Sequence, residues 1–308
     1  MKKLVILALA IIICFTVTSC FIRRISFGSN RIIEGTYADA SKYQAGSFSY
    51  RASDVNAISL DYVSGDVKIV QSDSKTLNVT ETGTGIKEDQ AVRWYLDGKT
   101  LRIQFCKSGY SGKMPAKNLT LEIPFGVDLD ITMSSGDVTF ETDVDAGEVE
   151  IGLTSGNLSI KTLRCGDFSK GTTSGNTNID ALYANDVEFG STSGNTKVGT
   201  LEASDVKAGA TSGSLNISSV VCDDFDIGGT SGDITLGLEK CSSLKIGCTS
   251  ADIVLSKLPA GGATIEYAKT SGSLKADGYK VRGNAMIFGD GACNMVIATT
   301  SGDLTIKY

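Results

Sequence analysis

Apolar and polar residues alternate in short runs along most of the chain, and the runs recur every nineteen residues. The tripeptide Thr-Ser-Gly marks each unit, with Ala251 in place of the last glycine. Its serines are Ser155, Ser174, Ser193, Ser212, Ser231 and Ser250. Related copies with other spacings surround this series, at Ser64, Ser135, Ser271 and Ser301. A repeat of fixed length predicts an architecture of stacked, similar units.

Each unit contains two predicted strands. The first runs apolar, polar, apolar, as in Leu158, Ser159 and Ile160, and the second has Val187 and Phe189 on either side of Glu188. A period of two indicates a strand with one buried face. Lys170 is the clear misfit among the inward positions of the second strand.

Two short strands and two tight corners per nineteen residues predict an all-β fold, a β-solenoid of the single-stranded β-helix type. Each coil adds one strand to each of two parallel sheets and stacks at about 4.8 Å on the next. A glycine column closes the coils, and we expect it to hold backbone conformations that other residues avoid. Its members are Gly171, Gly190, Gly209, Gly228 and Gly247.

The predicted organisation follows from these repeats. Residues 1–19 are assigned to a signal peptide, 20–54 to a tether and 55–308 to the solenoid. Within the solenoid we expect N-terminal cap strands over 55–133, regular coils over 134–270, and C-terminal coils with a cap over 271–308. The last strand, Asp303 to Tyr308, is expected to leave an unpaired edge, guarded by Lys307.

The start of the chain has the layout of a secretory signal: Lys2 and Lys3, an apolar run from Leu4, then small residues. Val17-Thr18-Ser19-Cys20 resembles the bacterial lipobox, in which the cysteine thiol accepts diacylglycerol. The pattern therefore predicts an extracytoplasmic lipoprotein, anchored to the membrane through Cys20.

The amino-acid composition limits which partners and which kinds of active site the protein can have. Residues 20–308 contain 27 Lys and Arg against 35 Asp and Glu, a net charge of −8, which disfavours nucleic acid as a partner. The chain has no histidine, which excludes Ser-His and Cys-His nucleophile pairs and histidine metal sites. We expect no catalytic residue, no cofactor and no metal ion.

The cysteines beyond Cys20 can form disulfides in an exported protein. Cys222 and Cys241 occupy one column on adjacent coils, near disulfide distance. We favour free thiols, because a buried cysteine behaves as a small apolar residue. The set comprises Cys106, Cys165, Cys222, Cys241, Cys248 and Cys293.

Three polar columns have both a chemical and a structural interpretation. The aspartates Asp167, Asp186, Asp205 and Asp224 could bridge calcium, but caps of their own turns are favoured. The threonines of the Thr-Ser-Gly units could bind ice, but a hydroxyl ladder at the corner is favoured. The column of Asn157, Asn176 and Asn195 is expected to bond to turn backbone.

The repeated Ser-Gly-Asp-apolar-x-apolar units, such as Ser135–Phe140 and Ser231–Leu236, resemble the bacterial toast-rack domain family, also known as the "putative adhesin" family. The lead-in at Leu119–Pro124 is similar as well. The resemblance covers about residues 55–308 and implies a β-helix-like fold on exported or membrane-linked proteins, with roles in adhesion and envelope stress.

The resulting functional hypothesis is a non-enzymatic envelope lipoprotein that acts as a scaffold or adhesin-like binding module. Its expected partners are the membrane, through the anchor, and an extended glycan or protein. One alternative is a component of an envelope stress-sensing system that contacts a membrane protein. Another is a polysaccharide-processing β-helix enzyme, which short coils disfavour because they leave little loop to wall a cleft.

Overall fold

The computed structural model describes residues 36–113 and 115–307, so the predicted signal peptide and Cys20 lie outside the described residues. Within these residues, three single-turn 3₁₀ helices occur, at Ala40–Lys42, Ala52–Asp54 and Glu88–Gln90. None of the helices in the described ranges has the length and apolar character to span a bilayer.

The described residues otherwise form strands. In chain order they are β1 Gln44–Ala45, β2 Phe48–Arg51, β3 Ala57–Tyr62, β4 Val67–Gln71, β5 Thr76–Gly83, β6 Arg93–Asp97, β7 Thr100–Gln104, β8 Lys117–Ile123, β9 Asp128–Ser135, β10 Val138–Asp145, β11 Val149–Ser155, β12 Leu158–Arg164, β13 Phe168–Ser174, β14 Thr177–Tyr183, β15 Asp186–Ser193, β16 Thr196–Glu202, β17 Asp205–Ser212, β18 Leu215–Val221, β19 Asp224–Ser231, β20 Ile234–Lys240, β21 Ser243–Ser250, β22 Ile253–Lys257, β23 Gly262–Lys269, β24 Leu274–Ala276, β25 Lys280–Arg282, β26 Ala285–Gly289, β27 Cys293–Ser301 and β28 Leu304–Ile306.

The apolar residues that alternate along the sequence are buried in these strands, and the polar residues between them are exposed or half-buried. In β16, Val198 is fully buried while Lys197 is exposed, and β18 repeats this with Ile217 and Asn216. Parallel pairing in register joins them, with Val198 opposite Ile217. Stacking like residues on like residues builds the core that no single coil could bury, and the β-solenoid prediction is confirmed.

The chain divides into two compact units, with the boundary inside β13: the N-terminal unit ends at Ser169 and the C-terminal unit begins at Lys170. In the N-terminal unit, one sheet has the strand order β1-β6-β7-β3-β9-β11 and the other has β2-β5-β8-β4-β10-β12. Antiparallel pairing marks the outer strands β1, β2, β5 and β6.

The first coil of this unit is out of sequence order. β3 pairs in parallel with both β7 and β9, and β4 pairs in parallel with both β8 and β10. Although Ser64 precedes Ser135 by 71 residues, Val67 lies directly opposite Val138. Between these two copies the chain forms the outer strands β5 to β8. It then places β9 and β10 on the opposite side of β3 and β4.

Residues 44–51, which the sequence assigns to the tether, belong to the folded N-terminal unit. Gln44 pairs with Trp94 through β1 and β6, and Phe48 pairs with Val79 through β2 and β5. The pattern is hard to recognise because these strands are only two and four residues long.

The C-terminal unit ends with the same kind of reordering. β27 lies between β21 and β23, and β28 lies between β22 and β24. The expected open edge at Asp303–Tyr308 is therefore wrong: Leu304 is opposite Ile253 on one side and Leu274 on the other. The outermost strands of this unit are β24 and β25 instead.

The expectation for the glycine column of Gly209 is also wrong. None of its members has a positive φ, whereas the glycines of the Ser-Gly turns do, with Gly213 at 136°. At the Gly209 register the later coils carry Ala298 and Ala268. This column requires a small residue at a corner, not a left-handed backbone.

Candidate functional site

The Ser-Gly turns form a stack of glycines along one corner of each unit. A Cβ on Gly213 would lie 2.2 Å from the carbonyl oxygen of Gly194, and one on Gly136 would lie 2.1 Å from that of Gly65. Glycine is thus required by both the backbone conformation and the close approach of the next coil. Ala251 occupies the same stack without a positive φ.

Beside the glycines, side-chain oxygens link one coil to the next. The amide of Asn195 donates to Oδ1 of Asn176 at 3.0 Å, and Oδ1 of Asn195 accepts from the amide of Ser214 at 2.9 Å. In the N-terminal unit, the amide of Asn157 donates to Oδ1 of Asp137 at 2.7 Å. This asparagine and aspartate ladder bonds to turn backbone, as predicted from the sequence.

The reordered terminal coil uses the same ladder. Oδ1 of Asp252 accepts the amide of Asp303 at 2.8 Å, and Oδ1 of Asp303 accepts the amide of Ser273 at 2.7 Å. The bond to Ser273 holds the pKa of Asp303 below its ordinary value. Because these hydrogen bonds join each coil to the next at a fixed register, we assign the ladder a structural role.

The acidic column is stacked in register, with Asp205 between Asp186 and Asp224. All three side chains are exposed. Among the described residues, no group of three or more His, Cys, Asp and Glu is placed to hold a metal ion.

The N-terminal unit presents an aromatic surface, which we define as Phe48, Tyr50 and Trp94. The rings of Phe48 and Trp94 stack with centroids 4.0 Å apart, and Tyr50 meets Trp94 edge-on at 5.5 Å. Nε1 of Trp94 donates to the carbonyl of Gly46 at 3.0 Å, which fixes the indole. All three side chains are half-buried, so part of each ring is open to solvent.

A second aromatic group lies in the same unit. Tyr43 contacts Tyr37 and Tyr95 with ring centroids 4.7 and 4.6 Å away, and burial raises the pKa of Tyr43 to about 12. Tyrosine and tryptophan are enriched where proteins contact partners, because one ring offers both an apolar face and a polar group. Neither group was predicted from the sequence, although the alternation of Phe48 and Tyr50 could have indicated the first one.

A buried ion pair supports this part of the unit. Nζ of Lys117 lies 2.7 Å from Oε1 of Glu81 and also donates to the carbonyls of Gln90 and Phe105. Glu81 Oε1 in turn accepts the amide of Val92 at 2.9 Å. These contacts join β5, β8 and the start of β6. Removing either partner of the ion pair would destabilise the unit, because the other would remain as an uncompensated buried charge.

Lys170, the charged residue at a predicted inward position of the second strand, does point inward, with only 1% of its surface exposed. Its Nζ and the buried hydroxyls of Thr172 and Thr177 have no hydrogen-bond partner. Burial lowers the pKa of Lys170 to about 7. An unpartnered buried amine weakens the unit in its charged form.

The six cysteines expected to be free are free thiols in this structure; Cys106 and Cys165 are half-buried and the others are buried. Burial raises the pKa of Cys165 to about 12, which makes this thiol unreactive.

Two cavities are notable, one in each unit. In the C-terminal unit, a cavity of about 30 Å³ is lined by the small residues of β15, β17 and β19, Gly209 among them. In the N-terminal unit, an open cavity of about 470 Å³ is lined by Ser64, Thr82, Asn118 and neighbouring residues. Neither is lined by Asp or Glu, so neither offers the carboxylate pair of a glycoside hydrolase.

Comparison with known proteins gives a family match. The sequence model of the Toastrack DUF4097 family matches residues 55–219 and 183–308. The comparison with curated proteins finds no significant match.

Solved structures of low identity are also similar. A "putative adhesin" from Bacteroides fragilis is 15% identical, with 86% of this chain and 97% of that chain covered and a TM-score of 0.45. One from Parabacteroides merdae is 13% identical, with 85% and 96% covered and a TM-score of 0.38. A "putative cell adhesion protein" from Clostridium sporogenes is 12% identical, with 86% and 99% covered and a TM-score of 0.28.

Proposed function

We propose, from the premise that this chain belongs to the Toastrack DUF4097 family, that it is a non-enzymatic binding module of the cell envelope. Lipid on Cys20 would hold it outside the cytoplasmic membrane. Its partner would be an extended envelope glycan or protein, because the outward columns of the coils are flat ladders of polar side chains such as Asn178, Lys197 and Asn216.

The observation that carries the proposal is the aromatic surface of Phe48, Tyr50 and Trp94. Aromatic rings dominate the binding energy of many interfaces when they are held rigidly and become desolvated on contact. Here the indole is held by Gly46 and by two neighbouring rings. The surface is therefore preorganised, and a partner would not have to order it on binding.

Trp94→Ala tests the surface. The full mature protein, with and without the substitution, is used to capture components from a solubilised envelope fraction. We expect Trp94→Ala to reduce capture about ten-fold or more, the loss typical of a central interface residue. Val281→Ala is the control, because Val281 is also apolar, is 71% exposed and lies in the C-terminal unit.

Equal capture by all three proteins, with unchanged circular dichroism, would refute the role of the aromatic surface. Digesting the fraction with protease or with glycosidase beforehand separates a protein partner from a glycan. Recovery of only a membrane signalling protein would favour the stress-sensing alternative. Turnover of any member of a polysaccharide panel would refute the non-enzymatic assignment.

The anchor is tested separately. Cys20→Ala should abolish labelling by a palmitate analogue and release the protein from the membrane fraction, because only a thiol accepts the diacylglycerol. Equal labelling of the wild type and the variant would contradict the lipoprotein assignment.

A further inference from the structure

Three buried cysteines of the C-terminal unit meet at one corner. Cys222 and Cys241 are on successive coils, and the amide of Cys222 donates to the carbonyl of Lys240 at 2.9 Å. Cys293 begins β27, the strand of the inserted terminal coil, and the amide of its neighbour Asn294 donates to Ser242 at 2.9 Å. Cys293 is distant in sequence from the other two and joins them only because the terminal coil stacks on β21.

Cys241 is the centre of this group. The thiol of Cys241 donates to the carbonyl of Ser243 at 3.2 Å. The thiol of Cys222 donates to Sγ of Cys241 at 3.8 Å, and Cys293 is the second thiol beside this sulfur. The Cys222 thiol, and after it the Cys293 thiol, hold the pKa of the Cys241 thiol below its ordinary value, and the pKa values of Cys222 and Cys293 are raised in return. Cys241 is therefore the sulfur that contacts both of the other two.

Cys222 and Cys241, which occupy one column of adjacent coils, also meet the backbone requirement of a disulfide. Strands of a sheet lie about 4.8 Å apart, within the Cα separation of about 4.4–6.8 Å that disulfides span. Closing the bond requires the two sulfurs to approach from 3.8 Å to about 2.05 Å, a movement that a change of side-chain torsion provides.

We propose that Cys222, Cys241 and Cys293 form a single disulfide site in which Cys241 is the shared partner of either neighbour. In oxidation, Cys241 gives up its proton and its sulfur attacks a disulfide oxidant, and a neighbouring cysteine then displaces the second half of that oxidant. The protein gains one S–S bond, and the oxidant leaves as two thiols. The pair loses two electrons and two protons to it.

The third cysteine allows the bond to move. Sγ of Cys293 attacks Sγ of Cys241, the new S–S bond forms, and the old bond to Cys222 breaks. The electron pair leaves with Cys222, which takes up the proton that Cys293 gave up, so no external oxidant or reductant is needed. The bond to Cys293 fastens the inserted terminal coil, whereas the bond to Cys222 joins only successive coils.

Peptide mapping decides between these states. The full mature protein is equilibrated with oxidised and reduced glutathione, both folded and during refolding, then denatured with an alkylating reagent and digested with trypsin. Lys240 and Lys245 flank Cys241, so its short peptide separates from those of Cys222 and Cys293. We expect two of the six cysteines to be protected and both Cys222–Cys241 and Cys241–Cys293 peptides to appear.

Substitutions give the matched controls. Cys222→Ala should leave only the Cys241–Cys293 bond, and Cys293→Ala only the Cys222–Cys241 bond. Cys241→Ala should abolish protection, and it should fold, because the same nineteen-residue column carries Ala184 and Ala203 in earlier coils. Cys248→Ala should change nothing.

Two results would overturn the proposal. One is complete alkylation of all six cysteines even after refolding in oxidised glutathione. The other is a disulfide that persists in Cys241→Ala. Because the experiment uses purified protein and a defined redox buffer, its outcome does not depend on the proposed envelope function.

Discussion

Gly209 and Gly213 are four residues apart in the same coil, yet the structure predicts different responses to alanine. Gly213 has a φ of 136°, and a Cβ there would lie 2.2 Å from the carbonyl oxygen of Gly194 and 2.8 Å from its carbonyl carbon. Non-bonded carbon and oxygen atoms do not approach so closely, so the two coils would have to separate by nearly 1 Å.

The magnitude follows from two costs and one smaller offset. The backbone conformation costs about 1–3 kcal/mol for a residue with a side chain, and forcing atoms into a packed region costs about 1–3 kcal/mol more. The reduced entropy of the unfolded chain offsets about 0.4–1 kcal/mol. We therefore expect Gly213→Ala to lower the free energy of unfolding by about 3 kcal/mol.

Gly209→Ala is the matched control. Gly209 has no positive φ, it lines the cavity of about 30 Å³, and alanine stands at the same register in Ala298 and Ala268. We therefore expect neither backbone strain nor a collision with the adjacent coil. What remains is the lower conformational entropy of the unfolded chain with alanine, which slightly favours the folded state. The free energy of unfolding should change by less than about 1 kcal/mol in either direction.

Urea unfolding monitored by circular dichroism measures both variants against the wild type at one protein concentration. Because the units of a solenoid can unfold separately, amide hydrogen exchange at the ends of β16 and β18 would show whether the loss is local to the altered turn. Equal stability of the two variants, or a larger loss for Gly209→Ala, would refute the assignment of the Ser-Gly turns as the strained, closely packed corner.

Two further predictions concern buried and ladder groups. Because the folded-state pKa of Lys170 is about 7, below the ordinary 10.5, the unfolded chain binds more protons between these values, and stability should rise with pH across that window by up to about 1.4 kcal/mol per pH unit. Lys170→Met should be more stable than the wild type at pH 7 and should lack this rise; parallel pH profiles in urea unfolding would contradict the buried-amine assignment. Asn195→Ala removes the acceptor of the Ser214 amide and should cost about 1 kcal/mol, whereas Asn195→Asp keeps an acceptor and should cost less; equal losses in thermal melts would argue against the ladder.

The strands and their buried faces could be read from the sequence because both depend on local periodicity. Alternation with a period of two decides which side chains of a strand point inward, and the nineteen-residue repeat places like columns over one another. Even Lys170 was correctly placed at an inward position, since the register of its neighbours leaves a strand residue no other face.

The order of the coils at both ends could not be read in this way. Any coil with the same columns can stack on any other, so the sequence does not show that β3 lies between β7 and β9, or β27 between β21 and β23. These pairings join strands that are far apart in sequence, and the packing of the whole unit determines them. The aromatic surface and the convergence of the three cysteines depend on the same kind of pairing.

The glycines illustrate the same division at the scale of one residue. The sequence determined that each coil has two glycine columns, but composition alone does not distinguish a glycine needed for its small size from one needed for its φ. Only the folded chain decides this, because the requirement at Gly213 comes from the carbonyl of Gly194 in the next coil. A close approach of two backbone segments is a property of the tertiary structure, and no local pattern encodes it.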